Sequence, residues 1–292
     1  MEDFHSSRRE FIVSATAAFL AVRPVHRQRG ALTAQQIVDR LRSAIGVEWR
    51  AQSADGFKAG DPGTVVTGIA TTVMATTDVL RGAAASGQNF IVTQEPLFYM
   101  PNEEPGNRAK DPVYLAKKAL IDERRLVVFR LSEHWNARQP SEPVKALAAA
   151  LKWTSEVPGA AQTYRIPDTT LEGLVAQIRS RLPIRGGLRM VGQPSLRVRT
   201  VCIAPGTTSL AMAVANLQRA DVILAGEPRE WEAVPYTLDT WSSERGKGLI
   251  AIGRMVSEGP GMTACAAWLR TVVPEVHVES IAVADPYWSV NV

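Results

Sequence analysis

Apolar residues recur along this chain in short blocks, and the spacing within each block predicts its element. Ile37, Val38 and Leu41 fall on one face of a helix running to about Ile45, and Thr33 with Gln36 supplies a capping box at its start. Thr64–Ala70 reads as a strand, followed by a helix capped at Thr77, running through Ala85 and stopped by Gly87. Asn89–Thr93 is a short, nearly continuous apolar run, the pattern of a buried strand, and it ends in Gln94-Glu95-Pro96. Pro112 takes the first turn of a helix that extends to Glu123. A second buried strand, Leu126–Leu131, leads into Ser132-Glu133-His134-Trp135-Asn136, and Ser141 caps a helix to about Leu151.

The second half repeats this order. A strand over Arg199–Ala204 precedes a helix from about Ser209 to Arg219, and the strand Asp221–Ala225 runs into Gly226-Glu227-Pro228. The strand Leu249–Ile252 leads into Gly253–Glu258, Gly261 and Met262 open a helix to Val272, and Val276–Ile281 closes as a strand. Each half therefore carries Glu-Pro after one buried strand and Ser-Glu after the next. The pattern predicts two similar α/β lobes, with Glu95 matching Glu227 and Ser132-Glu133 matching Ser257-Glu258. Open parallel sheets carry their binding residues just past such strand ends.

Composition narrows the class. A chain of 292 residues, 46% apolar and 21% charged, can fill the core of one large domain or of two compact lobes and lacks the signature of disorder. The net charge of +4 owes much to Arg8, Arg9, Arg23, Arg27 and Arg29. No basic stripe remains on a predicted helix or sheet, so no nucleic-acid partner is expected. Ser7-Arg8-Arg9-Glu10-Phe11-Ile12 precedes an uncharged stretch to Val22, the layout of a twin-arginine signal. Export to a periplasmic or other extracytoplasmic space is expected, with residues 1–32 as signal and linker. The apolar run is too short for a stable transmembrane anchor. Cys202 and Cys265 fall on separate apolar elements and are expected as unpaired core thiols.

Among motifs, Gly246-Lys247-Gly248 runs into an apolar strand where a phosphate loop needs a helix N-terminus. No G-x-S-x-G elbow is present. Glu227, Glu230 and Glu232 around Trp231 offer candidates for a cleft lining, but a solvated helix start is the favoured reading, since acidic residues suit the first turn.

Four segments carry a resemblance: Gly68-Ile69-Ala70 with the helix after it, Gln94–Phe98, Ser132–Arg138 and Gly253–Glu258. They resemble the Nif-three-like dinuclear metal-centre family, also called GTP cyclohydrolase I type 2, over most of residues 33–292. The resemblance implies a Nif-three-like fold of two α/β lobes, with a first lobe of about 33–155 plus a C-terminal segment of about 245–292, and a middle region of about 156–244. It also implies a homo-oligomer, a hexamer, and two divalent metals held between the lobes.

The family's ligand pattern is altered here. Gln94-Glu95-Pro96 stands where relatives carry His-His-Pro, Ser132 and Asn136 stand for His-x-x-x-Asp, and Arg254 and Glu258 stand for His-x-x-x-Glu. Gln94, Ser132 and Arg254 are therefore former ligand positions. Of the four histidines only His134 falls near the site, so the remaining donors are Glu95, Glu258, Asn136 and His134. They could hold one oxygen-loving divalent cation but not a histidine-rich pair. Two functions follow from the resemblance: a hydrolase-like metal protein with a degenerate site, or a metal-free binding or assembly protein that keeps the fold and the oligomer. In the second, Arg254 is expected to lie between Glu95 and Glu258 and to hold both as anions in place of a metal.

Overall fold

The computed structural model describes residues 31–243 and 245–289, so the twin-arginine segment lies outside the described residues. The first half folds as α1 (Ala34–Ala44), β1 (Gly56–Ala59), β2 (Ile69–Thr72), α2 (Thr77–Ala85), β3 (Phe90–Thr93), α3 (Pro112–Glu123) and β4 (Val127–Arg130). The short α4 (Glu133–Ala137) and α5 (Glu142–Ala150) follow. After β5 (Ser155–Glu156) and β6 (Thr163–Thr170) the succession returns as α6 (Leu171–Arg181), β7 (Arg189–Val191), β8 (Arg197–Thr208), α7 (Leu210–Leu217), β9 (Val222–Pro228), α8 (Ala233–Ser242) and β10 (Gly248–Ala251). The long α9 (Arg254–Val272) and β11 (Val278–Ser280) complete the described chain.

Two mixed sheets result, ordered β1-β4-β3-β2-β11 and β5-β6-β8-β9-β10-β7. Within them β1-β4-β3-β2 and β7-β10-β9-β8 have the same layout: three parallel strands with an antiparallel edge beside the last. The backbone bonds repeat as well. Val127 N–H donates to Asn89 O as Gly248 N–H does to Asp221 O, and Leu131 N–H donates to Thr93 O as Ile252 N–H does to Ala225 O. The predicted α/β fold of two similar lobes is thus the fold observed.

That register tests the two sequence matches separately. Phe90 occupies the ladder position of Val222, which makes Glu95 the counterpart of Glu227, as expected. Val127 occupies the position of Gly248, which pairs Ser132 with Gly253 and not with Ser257. The Ser-Glu match is therefore wrong: Ser257-Glu258 lies one turn inside α9.

Several boundaries also differ from expectation. The last long helix begins at Arg254, not at Gly261, because Pro260 is accommodated inside it. Gly261 serves packing: a Cβ there would come within 3.1 Å of the Pro143 Cα on α5. Thr64–Val66 is extended but pairs with the segment before α1 through Thr33 and Leu32, so the sheet strand begins only at Ile69. The N-cap of α2 is Thr76, whose hydroxyl accepts from Val79 N–H, and not Thr77. The stretch from 245, expected with the first lobe, starts in the second, since β10 pairs with β9 and β7. The chain returns to the first sheet with β11, which pairs with β2.

α9 ties the two cores together. Its Met262, Cys265, Ala266 and Leu269 pack with Ile69, Phe90 and Phe129 of the first, while Val256 packs with Leu224, Ile250 and Val144 of the second. Cys202 and Cys265 are buried and unpaired; burial pushes the Cys202 thiol up to about 11 and raises that of Cys265 as well. Among the described residues no helix is long and apolar enough to cross a membrane.

Candidate functional site

β3 and β4 of the first sheet and β8 of the second end at one cleft of about 550 Å³, which the start of α9, after β10, also lines. β3 delivers Gln94 and Glu95, whose N–H groups prolong the ladder by donating to Thr72 O and Val73 O. β4 delivers Arg130 and then the turn into α4, whose first N–H groups are satisfied from a distance. The Asp55 carboxylate accepts from Ser132 N–H (2.7 Å), Glu133 N–H (3.0 Å) and His134 N–H (2.9 Å). β8 brings Gly206 and Thr207 to the opposite wall, and α9 brings Arg254 in its first turn and Glu258 in its second. Gly253, with φ at 85°, makes the bend that starts α9, a conformation glycine adopts without strain.

Arg254 is the hub. Its Nη1 lies 3.0 Å from Glu95 Oε1, its Nε lies 3.1 Å from Glu227 Oε2, and its Nη2 donates to Thr207 Oγ1 at 2.5 Å. The planar guanidinium thus joins the two glutamates that the repeat makes equivalent. Glu258 behaves differently. Burial first, and then the charge of Glu95, push its carboxyl up to about 8, against the opposing pull of Arg254. Gln94 Nε2 approaches its Oε1 at 3.5 Å, while its Oε2 is buried without a hydrogen-bond partner among the described residues. Gly206, with φ at +69°, lies against it so closely that a Cβ would come within 2.6 Å of Glu258 Oε1.

Of the residues singled out from the sequence, Gln94, Glu95, Ser132, Asn136, Arg254 and Glu258 all line this cleft. Glu227 reaches it through Arg254. His134 does not belong to it. Its Nδ1 lies 2.7 Å from Asp55 Oδ2, its Nε2 accepts from Arg50 N–H at 2.9 Å, and its ring stacks on Trp49 at 3.9 Å. With both ring nitrogens engaged, His134 fastens the segment before β1 to α4 and is corrected from candidate ligand to packing residue. Glu230 is exposed and pairs with Arg189, and Trp231 is 76% exposed; neither lines the cleft. The expected bridge by Arg254 also needs correcting: it links Glu95 with Glu227, and Glu258 is kept protonated, not ionised.

Sequence reasoning missed Arg130, Trp135 and Thr207. The one signal for Arg130 was a lone arginine closing an otherwise apolar strand. Among the described residues no three His, Cys, Asp or Glu side chains converge as a metal-binding group.

The model of the Duf34/NIF3 (NGG1p interacting factor 3) family matches residues 32–286. Among solved structures, hypothetical protein SA1388 of Staphylococcus aureus is similar, with a TM-score of 0.71 at 19% identity over 89% of this chain and 100% of that one. A Bacillus cereus protein related to NIF3 gives 0.70 at 13% identity, over 89% of this chain and 99% of that one. Reduced HcgD from Methanocaldococcus jannaschii gives 0.60 at 14% identity, over 86% and 98% respectively. At such identities the likeness is one of fold. No curated protein matches the chain.

Proposed function

This chain belongs to the Duf34/NIF3 family, and from that membership we propose that it is a metal-independent binding protein whose cleft uses Arg254 in the place of a bound cation. The observation that carries this reading is the ion pairing of one guanidinium with Glu95 of the first lobe and Glu227 of the second. A dinuclear metal centre asks for imidazoles and free carboxylates converging from both lobes. The donors here suit one poorly. Gln94, Ser132 and Asn136 offer neutral oxygens, Glu95 is already paired, and Glu258 holds its proton at neutral pH. Arginine stays protonated and cannot ligate. Hydrolysis by a metal-bound water is therefore the less supported of the two functions that the family resemblance suggests.

We also read the protein as a homo-oligomer, in which the exposed Trp231, Leu210 of α7 and Leu238 of α8 suit burial against another copy.

Metal analysis of the folded protein, after exposure to zinc, manganese and iron(II) salts and desalting, tests the central claim. No stoichiometric metal is expected in the wild type. Arg254→Ala is expected to lose about 2 kcal/mol, because Glu95 is left partly buried without its cation. Stoichiometric metal in the wild type, or an Arg254→Ala variant as stable as wild type, overturns the reading.

A further inference from the structure

Arg130 is a second guanidinium in the cleft, and the metal-free reading gives it no task. It is 9% exposed, at the C-terminal end of β4. Its Nε donates to Gln94 O at 3.3 Å and its Nη1 to Pro101 O at 3.1 Å, while Nη2 has no partner among the described residues. No carboxylate of the described residues forms an ion pair with it.

Acids around it exist, but each is committed elsewhere. Glu95 pairs with Arg254. Asp55 caps α4 and holds His134. Glu103 accepts from Leu97 and Phe98 N–H, and Glu133 accepts from Arg50 and Ala54. A buried guanidinium satisfied only by carbonyls is costly unless an anion completes it. On the turn that follows β4, two more polar side chains line the same cleft without partners among the described residues: the Ser132 hydroxyl, in a residue only 7% exposed, and the Asn136 carboxamide. Donors of three kinds thus stand unspent on one seven-residue segment.

We propose that this segment is an oxyanion subsite, and that the cleft takes an anionic small molecule whose carboxylate or phosphate seats on Arg130, Ser132 and Asn136. The guanidinium fork supplies charge and two-point geometry, and the hydroxyl and amide donate to the remaining oxygens. Trp135, Pro143, Val144 and Met262 line the same cleft and offer an apolar bed for the rest of the ligand. The proposal rests on the metal-free reading of the cleft.

Calorimetric titration with inorganic phosphate and, separately, with benzoate, at constant ionic strength set by chloride, tests it. At least one probe is expected to saturate at one per chain, and which one does so separates a phosphate from a carboxylate ligand. Arg130→Gln is expected to weaken that binding by about tenfold or more. Asn136→Asp places a like charge in the subsite at a residue whose side chain makes no hydrogen bond or ion pair among the described residues, and is expected to weaken it similarly. It decides the matter should Arg130→Gln fail to fold. A tenfold loss in either variant supports the subsite; wild-type affinity in both, or no saturable binding of either probe, overturns it. Metal content of the same preparation separates the failures: metal-free protein that ignores both anions sinks the subsite alone, whereas stoichiometric metal sinks the reading beneath it.

Discussion

Glu258 is buried beside another carboxylate with Gly206 pressed against it, and the consequence is a proton that folding captures. Its pKa rises on folding from an ordinary 4.5 to about 8, so between those values the folded chain holds a proton that the unfolded chain has released. Stability from this group is fully present below about pH 4.5 and is lost as pH rises through about 8. The thermal midpoint of the wild type should therefore decline by a few degrees across that window, on the order of 1–2 kcal/mol. Glu258→Gln keeps a neutral, hydrogen-bonding side chain and should flatten the decline. Melting curves from about pH 5 to about pH 9 check this; an equal slope in both proteins speaks against the captured proton. At this scale the candidate site was legible wherever a strand end marked it: Gln94, Glu95, Ser132, Asn136, Arg254 and Glu258 were all named by position and all line one cleft. What sequence could not reveal was partnership. Nothing near His134 in the chain announces Asp55, 79 positions away, and nothing near Arg254 says that its second carboxylate is Glu227.

Single glycines decide how the elements cross. Gly226 is the repeat counterpart of Gln94, yet a Cβ there would come within 2.3 Å of Ser257 Oγ and 2.7 Å of the Gly206 backbone. Gly226→Ala should therefore cost about 3 kcal/mol or more, since backbone must move to admit the methyl group. Gly82 gives the contrast: it is exposed inside α2, a Cβ there would meet nothing within 4 Å, and Gly82→Ala should gain about 0.5–1 kcal/mol. Chemical denaturation of the two variants checks both signs. Elements with strong local signals were readable in advance. α3 runs over the expected Pro112–Glu123, and the Thr33–Gln36 capping box is formed as read. β1, β5, β6, β7, α4 and α6 were not foreseen. β1, β5 and β7 are edge strands, two to four residues long, set by their pairing partners, so their own residues carry little periodicity. α9 was cut short because a Gly-Pro-Gly step reads as a break when the packing that accommodates it is invisible.

For the molecule as a whole, the duplicated lobes are not independent bodies. α9 contributes to both cores, and the chain then crosses back to add β11 beside β2. One cooperative unfolding transition is expected, with calorimetric and van't Hoff enthalpies in agreement; two resolved transitions assignable to the two sheets would refute that coupling. The duplication was legible in the sequence from the Glu-Pro punctuation, but its exact register was not, because Ser-Glu is too common a pair to anchor an alignment. The guanidinium at the junction carries a last implication for the metal-free reading. A cation that is part of the polypeptide needs no loading factor, cannot be stripped by a chelator and cannot be exchanged for the wrong ion. It is in place once the first turn of α9 has wound, so the cleft's maturation is complete when folding is, whatever metals the surroundings supply.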